Sequence, residues 1–148
     1  MVAITISVDG AGFDLVAEQA ALCGLPGVGG IGAFVGLVRG GDGLETLVLE
    51  HYSGMTEAAM RAIAERAARR WDLLAVTLRH RVGRLRVGEP IVLVLAASAH
   101  RDAALSATRF LIDWLKTDAP FWKREEFRDG RRQWVAARES DRTAREAW

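Results

Sequence analysis

Residues 99–125 read AHRDAALSATRFLIDWLKTDAPFWKRE, and this stretch decides the fold. Ala103, Ala107, Phe110, Leu111, Trp114 and Leu115 recur at helical spacing, so a helix over 102–116 carries one apolar face that must be covered. Pro120 forbids its continuation. The chain then reads as a hairpin, Phe121 to Phe127 and Arg131 to Val135, around Asp129-Gly130.

Working outward, Ala3 to Val8 alternates and predicts a strand, and Asp14 can cap a short helix ending near Cys23. Gly24 to Gly32 reads as a flexible connection. Ala33 to Val38 and Leu44 to Tyr52 predict two strands, with Gly40-Gly41-Asp42-Gly43 as the turn between them. A helix from Thr56 to about Trp71 keeps Ala59, Met60, Ile63, Ala64 and Ala67 on one face. Leu74 to Val82 and Ile91 to Ala97 are further strands, the second apolar throughout and therefore central. The charged tail from Ala137 is expected to fray or to dock on a partner. About three helices among mostly hairpin-connected strands predict an α+β fold with an antiparallel or mixed sheet, in one domain over 1–148.

Composition excludes several classes. A formal charge of +1 gives little general attraction for phosphate, which argues against a nucleic-acid binder. No apolar run reaches membrane-spanning length, and the start MVAITISVDG lacks the pattern of a signal peptide, so the expected location is the cytoplasm. A lone cysteine rules out an internal disulfide. Among Ala20, Ala21 and Leu22, Cys23 reads as a core thiol rather than a nucleophile. The three histidines, His51, His80 and His100, match no compact ligand spacing, so no metal is expected. Gly27, Gly29, Gly30 and Gly32 follow a helix and precede a strand, the reverse of a dinucleotide loop, and lack the Lys-Ser/Thr of a P-loop.

The cations carry more. His100 and Arg101 stand at a helix start, where free N–H groups and the helix dipole attract phosphate or carboxylate. Lys116 and Lys123 flank a Pro-aromatic turn that can point both amines into one cleft, where neighbouring ammonium groups lower a pKa. Arg39 ends an apolar strand and matters if it converges with them. Fifteen helical steps separate Arg101 from Lys116, about 22 Å. One small ligand does not span that distance, so the cations form two sites or meet across a two-fold dimer.

Several motifs then occur in order: FVGLVR (34–39), LEHYSGM (49–55), HRVG (80–83), AHR (99–101), LKTDAPFWKRE (115–125) and WVAAR (134–138). Together, from about Gly32 onward, they closely resemble the large, catalytic subunit of molybdopterin synthase. The resemblance implies an α/β-hammerhead fold and a homodimer within a heterotetramer. The implied partner is a small ubiquitin-like sulfur-carrier subunit whose C-terminal Gly-Gly tail bears a thiocarboxylate. The implied reaction moves sulfur from that tail to cyclic pyranopterin monophosphate, giving the molybdopterin dithiolene without a cofactor, metal, nucleic acid or membrane. The family's substrate-binding positions fall on Arg39, His100, Arg101, Lys116, Lys123, Arg124, Glu125 and Arg138, with Lys123 and Lys116 as the catalytic pair. The alternative is a non-catalytic paralogue that binds a ubiquitin-like tail. A carrier-independent phosphate-ester enzyme and a Cys23 persulfide transferase are further rivals.

Overall fold

The computed structural model describes residues 1–135 and 139–148. In chain order the elements are β1 (Ala3–Asp9), α1 (Leu15–Cys23), β2 (Gly30–Leu37), β3 (Leu44–His51), α2 (Met55–Trp71), β4 (Ala75–Arg81), β5 (Gly83–Arg86), β6 (Pro90–Ser98), α3 (Arg101–Thr117), β7 (Phe121–Phe127), β8 (Arg132–Val135) and α4 (Glu139–Glu146). The fold is α+β. Two four-stranded sheets form, in the orders β1-β4-β6-β2 and β5-β3-β7-β8. The first is mixed, because β1 runs parallel to β4 while the β4–β6 and β2–β6 pairs are antiparallel. The pairings of the second are all antiparallel.

β6 is interior to the first sheet, as its unbroken apolar run requires, since both of its faces are covered. On one face Leu93, Leu95 and Ala97 join Leu22 of α1. On the other, Val92, Val94 and Ala96 join α2 through Met60, Ile63, Ala64 and Ala67, and α3 through Ala107, Phe110 and Leu111. That larger core continues into the second sheet through Leu47, Leu49 and Leu85. Leu111 is fully enclosed; trimming such a leucine to alanine costs about 2–5 kcal/mol, because the cavity only partly collapses.

Four expectations from sequence need correction. The glycines at 40–43 do not close a hairpin: β2 lies in the first sheet and β3 in the second, so this turn carries the chain between sheets. Gly30 and Gly32 belong to β2, not to a flexible connection. A Cβ on Gly32 would overlap Thr108 Oγ1 and the Ala104 carbonyl of α3, so these glycines let a helix lie close along a strand. Cys23 is exposed, not buried. Leu22 takes the buried position, and the next residue sits about 100° further round the helix. Residues 139–146 form a fourth helix packed on α3. The following Trp148 meets Trp71 and Phe110 edge-on at 5.5 and 5.8 Å and donates its indole N–H to Asp113 at 2.6 Å. The charged tail therefore docks on its own chain. No helix among the described residues is long and apolar enough to cross a membrane.

Candidate functional site

α3 lies along β2. The start of β2 at Gly30 touches Arg101, and the far ends of both elements open on one cleft of about 460 Å³. Its walls come from the exit of β2 (Phe34 to Arg39), the last turn of α3 (Leu115 to Thr117) and the inward face of β7. A β-bulge at Gly36/Leu37 re-aims the end of β2. The adjoining Val38 is then fixed by a pair of backbone bonds: its N–H donates to the Glu89 carbonyl, and its carbonyl accepts from the Gly88 N–H.

Strand alternation selects which β7 residues face the cleft. Phe121, Lys123 and Glu125 line it, while Trp122, Arg124 and Glu126 project from the opposite face. The turn at 118–120 brings β7 back beside the helix it has just left. The Asp118 N–H bonds the Trp114 carbonyl, the Phe121 N–H bonds the Ala119 carbonyl, and the Thr56 hydroxyl donates to the Pro120 carbonyl. This geometry gathers Lys116, Lys123, Arg39 and Glu125 in one cavity. Burial, and then the Lys116 ammonium, hold the Lys123 amine below the ordinary lysine range; Asp141 of α4 pulls the other way. An amine that releases its proton more readily than usual, beside a second amine, is suited both to binding an anion and to moving a proton.

The remaining expected positions lie elsewhere. His100 and Arg101 are exposed at the opposite end of α3, His100 as its N-cap residue without a side-chain capping bond. Arg124 stacks over Trp134 at 5.6 Å and bonds Glu126 at 3.0 Å. Arg84 at 2.7 Å and Arg124 keep the Glu126 carboxyl below the usual carboxylate range, so the outward face of β7 carries an ion cluster separate from the cleft. Arg138 falls outside the described residues. Three cleft contributors escaped sequence reasoning: Asp141, Val135 and the apolar wall Phe34–Val35. Asp141 was hidden because nothing local to the tail foretells that α4 folds back. Leu37, assigned no role from sequence, sits exposed on the cleft wall. No group of three or more potential metal-ligating side chains occurs among the described residues.

Comparison with known proteins adds four findings. The model of the MoaE protein family matches residues 10–118. The molybdopterin synthase catalytic subunit of Ralstonia nicotianae is 48% identical over 148 residues, covering 97% of this chain and 84% of that protein. Among solved structures, molybdopterin cofactor biosynthesis protein E from Burkholderia multivorans is 44% identical with a TM-score of 0.84, over 100% of this chain and 97% of that one. Molybdopterin synthase from Staphylococcus aureus is 26% identical with a TM-score of 0.78, over 87% and 95%.

Proposed function

The chain belongs to the MoaE protein family, and from that premise we propose that it is the catalytic subunit of a molybdopterin synthase. Its substrates are a cyclic pyranopterin monophosphate and the thiocarboxylated Gly-Gly tail of a small ubiquitin-like carrier subunit. It is a sulfurtransferase in which the sulfur arrives on the partner. Cys23, exposed and not part of the cleft lining, is compatible with that division of labour.

The observation that carries the reading is the convergence of Lys116, Lys123 and Arg39 in one cavity. Both substrates are anionic, and charge-assisted donors in a partly desolvated cleft suit them. Lys123 acts at the transfer step, as acid/base or as transient acceptor of the carrier's acyl end. Lys116 positions the tail and the pterin. Apolar Phe34, Val35 and Ala119 give the extended tail a wall without competing charges.

His100 and Arg101 complete the site from a second copy of the chain. Within one chain, α3 holds them about 22 Å from Lys116, so only a two-fold pair can bring both sets to one substrate. They bind the phosphate there, with Arg39 beside them. Glu125 lines the same cleft, whereas Arg124 is engaged by Glu126 and Trp134 on the other face of β7; the role of Arg138 rests on the family resemblance alone.

Two experiments test this. Lys123→Ala should abolish product formation from thiocarboxylated carrier while the carrier still binds; near-normal turnover would remove Lys123 from the mechanism. Mixing inactive Lys123→Ala with inactive His100→Ala/Arg101→Ala should restore about a quarter of wild-type activity. Random pairing makes about half the dimers mixed, each with one intact site of two. No recovery would refute the shared site.

A further inference from the structure

His80 takes no part in the reaction as proposed, yet it is buried directly behind the cleft. It lies near the end of β4, on the face that looks toward the second sheet. Its ring lies flat on Phe121, with centroids 3.8 Å apart and planes 18° from parallel. Its Nδ1–H donates to the Arg81 carbonyl at 2.8 Å, which fixes the tautomer, because a carbonyl can only accept. Phe121 is the first residue of β7, lines the cleft, and precedes Lys123 by two positions on the same strand face. On its other flank, Phe121 pairs in register with His51, whose ring tilts against it at 6.3 Å.

The strand entry that sets the depth of the Lys123 amine is therefore wedged by an imidazole that makes no other side-chain hydrogen bond among the described residues. We propose that His80 is a positioning residue for Lys123: held flat against Phe121, its ring seats the start of β7 and keeps the amine inside the cleft beside Lys116. Burial first, and then the titratable groups Lys123, Lys116 and His51, disfavour the cationic form of His80, against an opposing pull from the bond to the Arg81 carbonyl. A neutral ring is thus the form that fits. The consequence for turnover rests on the sulfur-transfer reading above; the consequence for the amine does not.

The test reads the amine directly in the full-length protein. Acylation of Lys123 by a water-soluble N-hydroxysuccinimide acetate is followed against pH by peptide mass spectrometry, with Lys116 as the internal comparison. His80→Leu fills the volume without offering a flat ring, and His80→Phe keeps the stack while losing the hydrogen bond. Each unit by which the pKa rises cuts the rate about tenfold at a pH below it, so His80→Leu should slow Lys123 labelling about threefold or more. His80→Phe should restore the wild-type rate and pH midpoint. The transfer rate with carrier should follow the same order and shift the ascending limb of its pH profile in step. A folded His80→Leu with unchanged Lys123 labelling would overturn the proposal, as would a His80→Phe that behaves like His80→Leu. Should His80→Leu not fold, Phe121→Leu breaks the same contact from the cleft side and must give the same slowing. If the wild-type chain transfers no sulfur at all, the proposed function fails while the labelling result stands.

Discussion

Acidification supplies a quantitative test of how the second sheet is fastened to the first. Burial drives the His80 imidazole down from 6.5 to about 4, against a weaker opposing pull from its bond to the Arg81 carbonyl. Between those values the unfolded chain carries a proton at this position and the native chain does not. Stability is therefore complete above about pH 6.5, falls as the pH drops, and levels out near pH 4 where both states are protonated. The gap between the two values corresponds to about 3 kcal/mol in total, and by pH 5 the loss is about 2 kcal/mol. Glu89, Glu126 and Asp129 are also held low, but by backbone and arginine partners that favour their charged form, and they weaken the fold only in more acid solution. Urea titrations followed by tryptophan fluorescence at pH 7, 6 and 5 would measure the effect, with His80→Phe as the control. The wild type should lose about 2 kcal/mol more than the control over that span, a large part of a typical domain's margin. Parallel losses in the two proteins would show that His80 is solvated or paired in the native state, and the account of the stacked ring would fail.

Two further outcomes follow from packing. Gly32→Ala places a methyl against Thr108 Oγ1 and the Ala104 carbonyl, forcing α3 off β2; a loss of about 1–3 kcal/mol in chemical denaturation is expected, and an unchanged midpoint would mean the helix sits further away. Trp148→Ala removes the ring that rests on Trp71 and Phe110 and the bond to Asp113. It should cost roughly 2 kcal/mol for a partly buried indole, and trypsin should cut after Arg142 or Arg145 sooner than in the wild type.

Elements with strong internal periodicity are legible in the amino-acid pattern alone. The apolar face of α3, the buried run of β6 and the Asp129-Gly130 hairpin stand where the pattern places them. The misreadings share one cause: each depends on contacts remote in sequence. Whether β2 and β3 pair with each other or with β6 and β7 is settled by the core, and a glycine turn serves either outcome. β5 has four residues, too few to show alternation, and exists because β3 offers it an edge. α4 reads as solvated charge until Trp148 finds the aromatic rings of two other helices. At the site, the two lysines are foreseeable because a proline turn joins their elements. His80 is not, since its importance lies in a ring on a different sheet, and it stands far along the chain from every cation of the cleft.

The glycine-lined seam between β2 and α3 has one more effect. A helix seated that closely along a strand, without side chains to cushion it, behaves as a strut, because tightly packed interiors yield little. A tilt imposed at the Lys116 end by an incoming peptide would then reappear at the Arg101 end. In the two-fold pair proposed above, each strut would reach into both cavities, so filling one would be felt mechanically by its twin.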